Sequence, residues 1–161
     1  MTISPALKSF LDLLAWSEGT SSSPVTQNDG YDVIVSGVDG KHTFTDFTDH
    51  PFANGRPPIV VRPDPDRLVS TASGRYQIIL GTWSIYKRRL DLTDFSPASQ
   101  DAVAAQIVAE RGAAEKIAAG DIAAAITLCS NIWASLPGNN YGQGGKPMDE
   151  LLEKYQELSA A

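Results

Sequence analysis

The first apolar pattern along the chain has the spacing of an amphipathic helix. Pro5 stands where the first turn of a helix accepts proline, and Gly19 is a residue that commonly ends one. The pattern predicts a helix to about Trp16, which leaves Glu18 at its C-terminal end. The apolar positions recur at intervals of three and four residues: Leu7, Phe10, Leu11 and Leu14.

The pattern then changes to period two, which indicates strands. Residues 31–35 and 42–47 alternate and flank Asp39-Gly40, a dipeptide typical of hairpin turns. The segment 51–66 follows and holds five of the ten prolines. Because proline cannot donate to a strand ladder or continue a helix, we expect this segment to be a stiff loop rather than helix or interior strand.

From Gly74 onward the spacing predicts helices. Ser96-Pro97 has the form of a cap followed by a first helical residue, and Asp121 can cap a helix that runs to Cys129. The four glycines of residues 138–145 predict a mobile loop before a last amphipathic helix. One apolar helical face is expected to carry five residues: Tyr76, Ile79, Trp83, Tyr86 and Leu90.

These elements predict an α+β fold, predominantly α, with one small hairpin among five or six helices. The 161 residues, 42% of them hydrophobic, suit a single domain over 1–161. Lys8 and Asp12 interrupt the apolar run at the N-terminus, so we expect no signal peptide, no stable membrane insertion and synthesis in the cytoplasm.

Charge and composition narrow the partners and cofactors. Nineteen acidic against thirteen basic residues give a net charge of −6, which disfavours nucleic acid and anionic membranes as partners. One cysteine and two histidines make a disulfide or a metal centre unexpected, so we expect no metal and no cofactor. The phosphate-binding patterns GxxxxGK[ST] and GxGxxG and the nucleophile elbow GxSxG are all absent from the sequence.

Carboxylates are the remaining candidates for chemistry. Glu18 follows an apolar helix beside Trp16, and a helix C-terminus disfavours its ionised form. Asp46 and Asp49 lie at the end of the predicted hairpin. The pattern permits a catalytic Glu18 without establishing it, because a glutamate at a helix end is usually a solvated surface residue.

Six segments nevertheless resemble one family, the lambda-type lytic transglycosylase endolysins of the lysozyme-like superfamily. They follow the family's order across nearly the whole chain and read LAWSEGT (14–20), GYDVIV (30–35), FTDFTDHP (44–51), STASGRYQI (70–78), DFSPASQDAVA (94–104) and CSNIWASLPG (129–138). The resemblance implies a lysozyme-like fold with a substrate cleft between a small β lobe and a helical lobe, without a separate wall-binding module.

The resemblance also implies an activity. The family's catalytic glutamate corresponds to Glu18. Its glycine-serine strand end and glutamine correspond to residues 73–77, which implies that Gln77 lines the cleft and makes Ser73 a further candidate for binding substrate. Such an enzyme would cleave the β-1,4 bond between N-acetylmuramic acid and N-acetylglucosamine in peptidoglycan and leave a 1,6-anhydro end. It would act as a monomer on the periplasmic wall after a holin has opened the inner membrane. The segments 51–66 and 130–145 would form mobile lips.

Two other readings remain open on the residues. A hydrolytic muramidase could use Asp46 or Asp49 to activate water, and a peptidoglycan-binding protein would not cleave at all.

Several residues are further candidates for contacting sugars. Ser130 and Asn131 could bind an acetamido group or cap a helix end, and Tyr141 could stack on a sugar ring.

Overall fold

The computed structural model describes residues 2–138 and 145–161. Within them are six helices, listed in chain order: α1 (Pro5–Ser17), α2 (Leu80–Arg89), α3 (Pro97–Glu110), α4 (Ala113–Ala118), α5 (Ile122–Cys129) and α6 (Met148–Ala160). The four strands are β1 (Val33–Gly37), β2 (Gly40–Thr43), β3 (Ile59–Arg62) and β4 (Leu68–Ser70). The chain divides into two compact units, residues 1–18 with 104–161 and residues 19–103. In the described ranges no helix is long and apolar enough to cross a membrane.

The helical unit is built on α1, which packs against α4 and α6. Ser4 caps α1 by accepting the N–H of Leu7 at 3.1 Å, and Pro5 occupies the first turn as predicted. Phe10, Leu13 and Leu14 are fully buried. Burial of each such side chain contributes about 1.5–3 kcal/mol, so the apolar spacing of α1 accounts for its attachment to the unit. The predicted helices ending at Cys129 and at the C-terminus are also present.

The second unit, residues 19–103, holds two antiparallel hairpins, β1–β2 and β3–β4, with α2 and the first part of α3. Its core is aromatic. Trp83 meets Phe95 edge-on at 4.8 Å between ring centroids, and the His50 ring lies 4.9 Å from Phe95. Trp83, which the sequence predicts on the apolar face of a helix, belongs to this core, since only 1% of it is exposed.

A buried polar group holds the segment around Gly74 in this unit. The Gln100 side chain accepts the Arg75 backbone N–H at 2.9 Å. Its amide nitrogen donates to the carbonyls of Tyr31 and Phe95 at 3.2 and 3.0 Å. Because every polar atom of this buried side chain has a partner, Gln100 ties three separated stretches of backbone together.

Two sequence predictions are wrong in part. Residues 59–62, expected to lie in a loop, form β3, because the prolines flank this stretch and a two-stranded sheet needs pairing on one side only. The α+β prediction holds, but with two hairpins instead of one. The helix expected from Tyr76 begins only at Leu80, because the backbone of Ser73 pairs with that of Ile78 and closes a tight turn.

Candidate active site

Glu18 is the residue at which α1 ends. Its backbone N–H donates to the Leu14 carbonyl at 2.9 Å, and Gly19 follows with φ +77°, a left-handed conformation that terminates the helix. The last turn of α1 contains no basic residue. The carboxyl therefore lies at the negative end of the helix dipole, where its ionised form is disfavoured.

The surroundings of Glu18 perturb its acidity. Burial raises the pKa of the Glu18 carboxyl above its ordinary value, while a hydrogen bond from the Ser135 side chain and the positive charge of Lys146 oppose that rise. The net direction is upward. The Glu18 carboxyl therefore keeps its proton to higher pH than an ordinary glutamate, and it remains partly accessible.

Ser135 and Lys146, which the sequence analysis did not single out, complete the surroundings of Glu18. The Ser17 hydroxyl donates to the Ser135 hydroxyl oxygen at 2.8 Å, and the Lys146 ammonium donates to the Ser17 carbonyl at 3.2 Å. The Lys146 ammonium also lies 4.9 Å from the centre of the Trp16 ring. Ser135 falls within the segment CSNIWASLPG, which was the only sequence signal pointing to it.

Gln77 lies in the turn before α2, in a conformation that is rare for its residue type. Its φ is +52°, and its side-chain amide donates to the carbonyls of Gly74 and Val33 at 2.9 and 3.4 Å. A non-glycine residue held at positive φ stores strain and is often functional. Ser73 differs, because it is fully buried and donates its hydroxyl to the Thr71 carbonyl at 3.0 Å. Ser73 thus has no free surface for a substrate here.

The two aspartates are committed to local hydrogen bonds. Asp46 is exposed and accepts the N–H and hydroxyl of Thr48 at 2.9 and 2.7 Å, which lowers its pKa. Burial raises the pKa of Asp49, but bonds from the Trp83 indole, the His50 N–H and the Lys87 ammonium outweigh it and lower the pKa overall. The Trp83 and Lys87 distances are 2.8 and 3.0 Å.

The remaining candidates differ in accessibility. Ser130 is buried and donates its hydroxyl to the Thr127 carbonyl at 2.8 Å at the end of α5, as a helix-end role requires. Asn131 is exposed next to it. Tyr141 lies outside the described residues. Glu18 is therefore brought together with Ser135 and Lys146 inside the helical unit, whereas Gln77 and the aspartates belong to residues 19–103.

Metal binding has no support in the described residues. Across 2–138 and 145–161, no group of three or more histidine, cysteine, aspartate or glutamate side chains could hold a metal ion. Cys129 is fully buried at the end of α5, and burial raises the pKa of its thiol to about 12. Such a thiol stays protonated and behaves as a small apolar side chain.

Comparison with known proteins identifies relatives along nearly the entire chain. The endolysin of Escherichia phage P2 is 53% identical over 147 residues, or 91% of this chain and 88% of the relative. The endolysin of Escherichia phage lambda is 51% identical over 151 residues, or 93% of this chain and 89% of the relative.

A solved structure, bacteriophage lambda lysozyme complexed with a chitohexasaccharide, matches with a TM-score of 0.88 at 49% identity. The match covers 98% of this chain and 96% of that one, which establishes the lysozyme-like α+β fold. A second structure of lysozyme from bacteriophage lambda matches with a TM-score of 0.84 at 47% identity. The family model described as Endolysin matches residues 8–161, and the chain belongs to the endolysin family.

Proposed function

We propose that the chain is a phage endolysin that cleaves peptidoglycan by lytic transglycosylation, with Glu18 as the sole catalytic acid and base. The bond cut is the β-1,4 link between N-acetylmuramic acid and N-acetylglucosamine. One observation carries the proposal: a carboxyl at the end of α1 whose burial raises its pKa while part of it stays accessible. The kinship with two phage endolysins supports a role in lysis of the host wall.

The proposed reaction balances with one carboxyl. Protonated Glu18 donates its proton to the glycosidic oxygen as that oxygen leaves C1 of N-acetylmuramic acid. The C6 hydroxyl of the same sugar attacks C1 and returns its proton to Glu18. The products are a 1,6-anhydro end and a free N-acetylglucosamine hydroxyl, so no water is consumed. The substrate's N-acetyl group can stabilise the positive charge that develops at C1.

The state of the two aspartates favours transglycosylation over hydrolysis. A hydrolase of the two-carboxylate kind needs a second carboxylate that accepts a proton from water. Asp46 and Asp49 have lowered pKa values because each accepts hydrogen bonds from neighbouring groups. A carboxylate occupied in this way is a weak base, so both are poor candidates for activating water.

The substrate class follows from the relative that binds sugar. The matched lambda lysozyme structure contains a chitohexasaccharide, and we extend the binding of β-1,4-linked N-acetylated sugars to this chain as part of the proposal. Gln77 and Asn131 are the accessible amide side chains that we propose to contact acetamido or hydroxyl groups of the glycan. No cofactor enters the proposed reaction.

The test is mass spectrometry of soluble products from purified Gram-negative sacculi. Transglycosylation predicts muropeptides one water lighter than hydrolytic products and resistant to borohydride reduction. Glu18→Gln is the matched control, and we expect it to fold and to lose at least 100-fold in rate, the lower range for a general acid–base group. Reducible N-acetylmuramic acid ends would instead establish hydrolysis, and release of no product would leave a binding protein.

A further inference from the structure

We propose that Ser135 and Lys146 are positioning residues for Glu18: the Ser135 hydroxyl orients the carboxyl, and the Lys146 ammonium offsets the negative charge that the carboxyl gains on giving up its proton. The inference rests on the proposed catalytic role of Glu18 and extends that role to two residues far away in the chain. Neither residue is proposed to touch substrate.

The chemistry of an ionised carboxylate assigns the Ser135 proton to Glu18. The Ser17 and Ser135 hydroxyl oxygens lie 2.8 Å apart, and Ser17 is buried. An ionised carboxylate only accepts hydrogen bonds, and a serine hydroxyl has a single proton to donate. When Glu18 is ionised, the Ser135 hydroxyl therefore donates to its carboxylate, with which Ser135 makes a side-chain hydrogen bond, and accepts from Ser17.

Lys146 is held in place by several contacts. Its ammonium donates to the Ser17 carbonyl at 3.2 Å and lies 4.9 Å from the centre of the Trp16 ring. Its backbone N–H donates to the Ser135 carbonyl at 3.0 Å. At Gly145 an added Cβ would lie 2.7 Å from that same carbonyl oxygen, so the two segments approach closely. The lysine charge is thus fixed before substrate arrives, as preorganised electrostatic stabilisation requires.

Lys154 provides a built-in comparison. Its ammonium lies 5.4 Å from the centre of the same Trp16 ring, but its ion-pair partner is Glu157 at 3.7 Å. Of the two lysines on this ring, Lys146 is the one whose charge lowers the pKa of Glu18. Replacing either lysine removes a cation from the ring, whereas only the Lys146 change alters the charge that Glu18 senses.

The chemical consequence concerns the pKa of the Glu18 carboxyl, which has to suit both proton transfers of the proposed reaction. Glu18 must be protonated to begin the reaction and ionised to receive the C6 hydroxyl proton, so its pKa needs to stay near the working pH. Burial alone would raise the pKa, and Ser135 and Lys146 limit the rise. Removing either group should stabilise the protonated form and displace the alkaline limb of the rate profile to higher pH.

The experiment measures initial release of soluble muropeptides from sacculi, as a function of pH and sacculus concentration. The variants are Lys146→Met, Lys146→Arg, Ser135→Ala and the control Lys154→Met, each checked by thermal unfolding. For Lys146→Met and Ser135→Ala we expect an upward displacement of the alkaline limb of kcat/KM. We also expect kcat to fall about tenfold with KM unchanged, less than the ~100-fold for a donor that acts directly on the transition state. Lys146→Arg should restore the profile, and Lys154→Met should match wild type.

Two results would overturn the inference. The first is an unmoved alkaline limb in both Lys146→Met and Ser135→Ala, which would mean that these residues only stabilise the fold. The second is a displacement by Lys154→Met as large as that by Lys146→Met. The Glu18→Gln variant distinguishes a failure of this inference from a failure of the proposed function. If that variant keeps a tenth of wild-type activity or more, the catalytic assignment itself is wrong.

Discussion

A methyl group added at Gly74 should destabilise the protein by disturbing the hydrogen bonds of Gln100. Gly74 has φ +82°, and an alanine Cβ built there would lie 2.8 Å from the Gln100 side-chain carbon Cδ and closer still to its Oε1. Gln100 cannot yield freely, because its three hydrogen bonds fix it within the unit. Gly74→Ala therefore forces either the backbone or this amide to move.

The expected magnitude has two parts. The left-handed backbone conformation costs an alanine about 1–2 kcal/mol. Displacing Gln100 leaves the buried N–H of Arg75 without its acceptor, which costs about 1–3 kcal/mol more. The matched control is Gly55→Ala in the same unit, where φ is +89° and an added Cβ meets no atom within 4 Å. Only the backbone part, about 1–2 kcal/mol, should appear there.

Urea unfolding followed by circular dichroism measures both variants, and their m-values should stay unchanged. The double variant Gly74→Ala/Gln100→Ala tests the cause, since adding the methyl group where Gln100 is absent should cost only the backbone part. We expect the two sites to be coupled by about 1–3 kcal/mol. Equal destabilisation by Gly74→Ala and Gly55→Ala, or simple additivity in the double variant, would refute this reasoning.

Three further predictions concern ionisable groups. Glu18→Gln should be at least as stable as wild type at pH 7, because the raised pKa means that ionised Glu18 destabilises the fold as pH rises above 4.5; lower stability in urea would contradict this. Asp46→Asn and Asp49→Asn should each keep at least half of wild-type muropeptide release, and a 100-fold loss in either would indicate a hydrolase. His50 donates to the Ile78 carbonyl at 2.8 Å, and burial lowers its pKa below 6.5. As pH falls from 6.5, this histidine is therefore protonated in the unfolded chain before it is protonated in the folded one. The free energy of unfolding should decline over this range, and less steeply in His50→Gln.

The sequence predicted most helices because the interactions that begin and end a helix join residues close together in the chain. Ser96 caps α3 by accepting the Ser99 N–H at 3.3 Å, and Asp121 caps α5 by accepting the Ala124 N–H at 3.2 Å. Such bonds join residues three positions apart, so their residue types predict them. The helical spacing from Tyr76 misled because the backbone of Ser73 pairs with that of Ile78 in a turn there. The Gln100 side chain also accepts the Arg75 N–H in that turn, and no local pattern encodes the position of Gln100.

In the candidate site, likewise, one part could be predicted from the sequence and another could not. The place of Glu18 at a helix end followed from the apolar spacing of α1 and from Gly19. Its partners did not, because the bonds from Ser17 to Ser135 and from Lys146 to Ser17 span 118 and 129 residues. Serine and lysine are also common surface residues, so their types gave no reason to pair them with Glu18.

Because the helical unit is discontinuous in sequence, its parts are translated at different times. Residues 1–18 leave the ribosome before residues 19–103, and their partners in α4 and α6 are translated 95 or more residues later. Residues 19–103 are contiguous in sequence, so this whole unit is translated before α4 and α6. The surroundings of Glu18 are therefore completed only when Lys146 has been translated, so a nascent chain or a prematurely terminated one carries the carboxyl without the groups that set its acidity.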